Sequence, residues 1–182
     1  MNNFKFFFLL MGIATVILLL RFYIAENEAP LIQNGVFYFG DSHARFMGGE
    51  GIDGEKSWQG LKRLGFVLDN YDMDTIVYSS GIVDLLNGEP DWMILGNVRQ
   101  AAWLAQKADA DFFVLGLFLT KHDGLNERIV ALNPQLASLA EQEGFGFIDS
   151  AACVSEEDLV NELHLNAEGY RKLKECGELR VI

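Results

Sequence analysis

Two residues of this 182-residue chain carry side chains suited to acyl-transfer chemistry, and they stand near opposite ends of it. Ser42 lies in Gly40-Asp41-Ser42, directly after the apolar run Val36–Phe39. A serine on a tight strand-to-helix turn exposes its hydroxyl for attack on an acyl carbon and aims its own N–H at the same point, where an oxyanion would form. Gly40 permits such a turn, and a following helix adds its positive dipole end. His164 lies in Asn161-Glu162-Leu163-His164-Leu165-Asn166, just before the last helical segment. A histidine on a polar loop suits a general base better than one on an apolar helix face. Each residue alone has a plainer reading. Ser and Asp are favoured at helix N-caps, and a loop histidine is often simply solvated. His122-Asp123 offers a second acid/base pair, and His43 is set to line a pocket or cap the helix after Ser42.

Other chemistries lack their residues. The three histidines include no i,i+4 pair, and the two cysteines, Cys153 and Cys176, supply no zinc cluster, so no metal is expected. There is no G-x-G-x-x-G or Walker sequence, so no nucleotide cofactor is expected. A net charge of −12 repels a phosphate backbone and excludes nucleic acid as a partner. In an oxidising compartment Cys153 and Cys176 are able to pair, a point their spacing leaves open.

The elements that must position Ser42 and His164 follow from hydrophobic periodicity. Val36–Phe39, Thr75–Tyr78, Phe112–Leu119 and Phe145–Ile148 are continuous apolar runs and predict buried strands. Asp91–Lys107 predicts a helix, with Trp92, Leu95, Val98, Ala102 and Ala105 on its apolar face. Asn126–Glu143 predicts another, which Pro134 must kink or start. Asn166–Cys176 predicts the last, with Asn166 able to cap it. Trp58, Trp92 and Trp103 read as core or interface residues rather than ligand platforms. Buried strands alternating with helices imply an α/β fold, a three-layer α/β/α sandwich with a parallel sheet of flavodoxin-like type. Such folds gather their sites at the carboxyl ends of the strands. Ser42, Ser79-Ser80-Gly81 with Asp84, Thr120–Asp123 and Asp149-Ser150 all follow a strand there.

The blocks in this order resemble the SGNH/GDSL hydrolase family. They are Gly40-Asp41-Ser42, then Gly81-Ile82-Val83-Asp84-Leu85 where the family has Gly-x-Asn-Asp, then His164-Leu165-Asn166-x-x-Gly169-Tyr170. The stretch from Leu132-Asn133 to Phe147-Ile148-Asp149 looks like the family's helix and last strand, and the resemblance covers residues 34–176. It implies that Ser42 is the nucleophile and His164 its base. It also implies that an oxyanion is held by the N–H of Ser42 and by a glycine N–H from residues 48–54. Gly48, Gly49, Gly51 and Gly54 are all eligible, and Gly49 is carried as the candidate.

Two positions depart from the family pattern. The oxyanion asparagine falls at Val83, and losing one such donor typically costs about 10²–10³-fold in rate. The triad aspartate falls at Asn161, which can orient an imidazole through its carbonyl oxygen but brings no charge to the imidazolium. Glu162 is adjacent and would need a rearranged loop. Asp84 matches by position, with a structural role bracing the turn near Ser42. Gly81-Ile82-Val83-Asp84 also resembles a Gly-Glu-Ile-Asp variant of members with a Gly-Asp-Ser-His block, which lack the asparagine too.

The N-terminus is a different object. Residues 1–25 hold Lys5, Arg21 and no acid, while residues 26–182 hold the remaining 12 bases and all 26 acids. Phe6–Leu20 runs uncharged, and with snorkelling flanks residues 4–24 can span a bilayer as a signal anchor. A cleaved signal peptide fits less well, because small residues at a cleavage site are poorly placed. Residues 1–25 thus read as a transmembrane helix, 26–34 as a linker and 35–182 as the catalytic-type domain. The positive-inside rule leaves the N-terminus cytoplasmic and the domain periplasmic or otherwise outside, in a bacterial envelope. Two functions fit. One is an esterase or O-acyl transferase for an envelope glycan or lipid ester. The other is a non-catalytic domain of the same fold, binding protein subunits of a membrane complex.

Overall fold

A computed structural model describes residues 35–181. The expected membrane span and linker lie outside these residues. Among the described residues no helix is long and apolar enough to cross a membrane.

The apolar runs become parallel strands. In chain order the elements are β1 (Val36–Gly40), α1 (Ser42–Phe46), β2 (Glu50–Gly51), α2 (Ser57–Asn70), β3 (Thr75–Ser79), α3 (Ile82–Leu86), α4 (Asp91–Lys107), β4 (Asp111–Leu115), α5 (Asp123–Glu143), β5 (Gly146–Ile148) and α6 (Ala167–Val181). Two single-turn 3₁₀ helices, Ser150–Ala152 and Glu156–Asp158, lie between β5 and α6. The sheet order is β2-β1-β3-β4-β5 and every pairing is parallel.

Alternation along the strands feeds two cores. Phe37, Phe39, Ile76, Tyr78, Phe112 and Val114 pack with apolar residues of α2, α4 and α5. Val36, Tyr38, Val77, Leu115 and Ile148 pack on the other face with Leu165, Tyr170 and Leu173. Because both faces are covered, the strands can be apolar without interruption, which is why the sequence shows runs instead of alternation. The three-layer α/β/α sandwich expected from the sequence is the fold observed.

Four details differ from expectation. Strand β4, expected over Phe112–Leu119, stops at Leu115, because the Leu117 N–H and C=O leave the sheet to pair with the Asn133 side chain at 2.9 and 2.7 Å. Pro134 does not start α5 but sits inside it. The carbonyl its ring leaves unpaired is that of Val130, a solvent-exposed residue. Of the two readings of the tryptophans, core and interface, the core one fails, for Trp58, Trp92 and Trp103 are 42, 71 and 55% exposed. Helix α2 gave no strong signal in the sequence, since Gly60 and Gly65 lower its propensity where it approaches Tyr78 and Leu104. Cys153 and Cys176 form a disulfide that ties α6 to the segment after β5.

Candidate active site

The turn that carries Ser42 depends on one glycine. Gly40 ends β1 at φ +143°, and a Cβ there would fall 1.7 Å from the Ser79 carbonyl oxygen. That close approach lets the Asp41 N–H donate to Ser79 O at 3.0 Å, so the chain leaves β1 locked to the end of β3. Asp41 then caps α1. Its Oδ1 accepts from the His43 N–H at 3.0 Å and from Ser79 Oγ at 3.2 Å. Ser42 becomes the first residue of α1, where helical geometry leaves its N–H without an internal acceptor.

His164 comes from the loop before α6. Leu159 and Leu165 form an antiparallel bridge, and the Val160 N–H donates to His164 O at 2.9 Å. Asn161 Oδ1 closes the turn by accepting from the backbone N–H of Leu163 and His164 at 2.9 and 2.8 Å. The Lys121 N–H holds Glu162 O at 3.0 Å, and Asp158 is tied to Lys172 at 2.7 Å. The result is a separation of 3.1 Å between Ser42 Oγ and His164 Nε2, across 122 residues of sequence. That is hydrogen-bond distance for a nucleophile and its base.

The imidazole is steered by rings. The Phe46 ring lies edge-on to it with centroids 5.6 Å apart, and the His43 ring is 5.5 Å away. Among the described residues no hydrogen bond reaches His164 Nδ1. Asn161, the residue expected to orient it, spends its oxygen on the backbone instead.

Beneath the pair lies a buried polar layer that residue types alone did not reveal. His43 is 4% exposed, with Nδ1 2.9 Å from the Tyr170 hydroxyl. Burial pulls the His43 pKa down to about 3 and pushes that of Tyr170 up, so a neutral imidazole and a neutral phenol share this hydrogen bond. A neutral His43 matters because an imidazolium beside His164 would make it a weaker base. Asp41 is 1% exposed, its Oδ2 has no partner, and burial pushes its pKa up to about 7. Tyr170 stood in the His-Leu-Asn-x-x-Gly-Tyr block, one turn into the last helix, and that spacing was the available signal for it.

The oxyanion assignment changes. The Gly49 N–H donates to Ala44 O at 3.0 Å and the Gly48 N–H to Arg45 O at 2.9 Å, so Gly49 cannot serve as the donor. Gly51 faces Gly40 in the sheet, but the bond to Gly40 O comes from the Ile52 N–H at 3.0 Å, so Gly51 stays eligible. So does Gly54, which is exposed at φ +74° and whose N–H meets no acceptor among the described residues. Its loop is fastened on both sides, by Arg45 to Asp53 through two bonds of 2.9 and 2.8 Å and by Arg63 to Glu55 at 2.6 Å. Arg63 also donates to Gly40 O at 2.9 Å and lies over the Phe39 ring, which links this loop to the Ser42 turn.

The other candidates have structural duties. Asp84 is fully buried and accepts from Ser57 N–H at 2.8 Å and Ser57 Oγ at 2.7 Å, so it braces the start of α2 rather than the Ser42 turn. Val83 packs against the core. His122 caps α5 through Nδ1, which accepts from the Leu125 N–H at 3.3 Å, so it is no second acid/base pair with Asp123. Among the described residues no three His, Cys, Asp or Glu side chains converge on a metal site.

Comparison with known proteins agrees with this geometry. The GDSL-like Lipase/Acylhydrolase family matches residues 33–172. No curated protein matches the chain. Among solved structures, a GDSL-like lipase from Bacteroides thetaiotaomicron aligns with TM-score 0.73 at 18% identity, covering 87% of this chain and 95% of that one. A carbohydrate acetylesterase from Sinorhizobium meliloti aligns with TM-score 0.66 at 14% identity, covering 80% and 98%. An aryl esterase from M. smegmatis aligns with TM-score 0.69 at 14% identity, again over 80% and 98%. At these identities the structural likenesses speak for the fold, while the match over 33–172 decides the membership: the chain belongs to the GDSL-like Lipase/Acylhydrolase family.

Proposed function

We propose that this protein is a serine esterase working through a Ser42–His164 dyad, on an ester borne by an envelope glycan or lipid. The observation that carries the reading is the 3.1 Å contact between Ser42 Oγ and His164 Nε2. His164 takes the Ser42 proton as Oγ attacks the acyl carbon, and the oxyanion is held by the Ser42 N–H together with a glycine N–H, that of Gly51 at the end of β2 or of Gly54 in the loop after it. His164 then returns the proton to the leaving alcohol, which departs and leaves an acyl-serine. Water attacks that ester with His164 again as base, and the acid leaves with Ser42 restored. A second alcohol in place of water would make the same site an acyl transferase.

With Val83 and Asn161 where a side-chain donor and a carboxylate would help, the dyad works at a reduced rate rather than not at all, since such helpers contribute factors and not the reaction itself. The Ser42–His164 contact speaks against the non-catalytic reading. The Cys153–Cys176 disulfide supports an oxidising, extracytoplasmic setting for the domain. The uncharged run at 6–20, with bases before it and acids after it, supports attachment to the membrane with the N-terminus inside.

The test is covalent labelling of the folded protein with a fluorophosphonate. We expect modification at Ser42, lost in Ser42→Ala and strongly slowed in His164→Ala. Folded wild-type protein that stays unlabelled and hydrolyses no ester would overturn the assignment.

A further inference from the structure

Beside the dyad a groove of about 690 Å³ follows the joint between the end of α1 and the start of α6. Phe46 forms one wall, and this same ring packs edge-on against His164 and stacks on Tyr170 with centroids 5.0 Å apart. Val160 and Leu165, from the loop that carries His164, form the other side. Phe46 is 47% exposed and Val160 65% exposed, an unusual amount of open apolar surface next to a reactive pair. Arg171 stands at the rim, but its guanidinium is engaged by Glu168 and Glu175.

We propose that this groove receives the alcohol half of the ester, and that this half is an apolar aryl or alkyl group rather than a sugar. The inference rests on the esterase reading and narrows its substrate class. The argument begins with the proton. His164 must protonate the leaving oxygen, so the alcohol sits on the His164 side of the reacting carbon, while the carbonyl oxygen points at the Ser42 N–H. The groove opens on that side, since its wall residue Phe46 touches His164. Its volume falls within the range of about 300–1,000 Å³ typical of small-ligand sites. The open surface is mainly Phe46 and Val160, since Leu165 is buried beneath them, and the lining also holds Asn166, Arg171 and Lys174. Asn166 Oδ1 is taken by the Gly169 N–H and Arg171 by Glu168 and Glu175, so a sugar would lose water from several hydroxyls there and gain few partners. An aryl or alkyl group loses nothing there and buries apolar area.

The experiment compares acetate esters whose alcohols are of similar acidity but different surface: 2-phenylethyl acetate, 2-methoxyethyl acetate and 6-O-acetylglucose, hydrolysed by the full chain. The expected result is a kcat/KM at least about tenfold higher for the phenylethyl ester than for the other two. Phe46→Ala and Val160→Asp should each shrink the phenylethyl-to-methoxyethyl ratio by about tenfold, the scale of one apolar group in a pocket. Because each variant is read as a ratio, a general loss of activity cancels. Equal rates for the sugar ester, or a preference that survives both substitutions, would overturn the groove assignment. Fluorophosphonate labelling of wild-type Ser42 reports on the esterase reading separately: labelling without alcohol preference sinks the groove alone, and no labelling with no turnover sinks both.

Discussion

Asn161 Oδ1 accepts the backbone N–H of His164 at 2.8 Å and that of Leu163 at 2.9 Å, while the His164 ring meets Ser42 through Nε2 and, among the described residues, has no hydrogen bond at Nδ1. The asparagine therefore shapes the turn and leaves the imidazolium of the transition state without a counter-charge. Asn161→Asp keeps the acceptor that closes the turn and adds a negative charge beside the ring. An opposite charge within about 4–6 Å raises a histidine pKa by roughly 1–3 units, and each unit is tenfold in an equilibrium. We expect kcat on an aryl acetate to rise about tenfold and the acidic limb of the pH–rate profile to move to higher pH. A profile identical to the wild type's in both respects would show that the added charge does not reach the ring.

Asp84 has a different test, because its two bonds to Ser57 hold α2 and not the nucleophile. Asn97 joins the same hydroxyl at 2.8 Å, so Ser57 is a buried three-way junction. Asp84→Asn turns one acceptor into a donor facing a donor. A hydrogen bond to a charged group contributes about 1.5–3 kcal/mol, so we expect a loss of about 2–4 kcal/mol in urea unfolding. The kcat of the folded enzyme should change by less than about threefold. A large fall in kcat with unchanged stability would instead give Asp84 a role in the chemistry.

The sequence was most legible where a residue's type dictates its environment. The apolar runs at 36–39 and 75–78 had to be buried on both faces, which specified the parallel sheet, and the sheet specified the edge where Ser42 appears. His164 was legible for the same reason, as a polar loop residue entering the last helix. What stayed hidden depends on which backbone group meets which. Gly48, Gly49, Gly51 and Gly54 are identical as residues, and only the closure of Gly49 onto Ala44 O takes Gly49 out of contention. Asn161 stands three residues before His164 in either case. Whether its oxygen turns to the ring or to the backbone is decided by the turn between Leu159 and Leu165. The His43–Tyr170 pair needs α1 and α6 to come together, which no local pattern records.

That buried layer has an energetic consequence opposite in sign at its two members. Asp41 is held up at about 7 in the fold against roughly 3.9 when unfolded, so between about pH 4 and 7 the native chain keeps a proton that the unfolded chain has released. Stability contributed by Asp41 therefore falls as pH rises through that window. His43 is held down at about 3 against roughly 6.5 unfolded, so below about pH 6.5 the unfolded chain takes up a proton that the native chain refuses. Its contribution falls as pH drops. From about pH 4 to 6.5 the two slopes oppose each other, each limited to about 1.4 kcal/mol per pH unit, so the pair together adds little slope to the wild type. Asp41→Asn retains an oxygen for the His43 N–H and the Ser79 hydroxyl but removes one titration. Its urea midpoint should climb relative to that of the wild type from pH 4 to 6.5. His43→Gln should do the reverse and lose stability as pH rises from 4 to 7. Midpoint curves parallel to the wild type's in both variants would mean that neither group titrates differently in the fold, and that the layer under Ser42 is open to water.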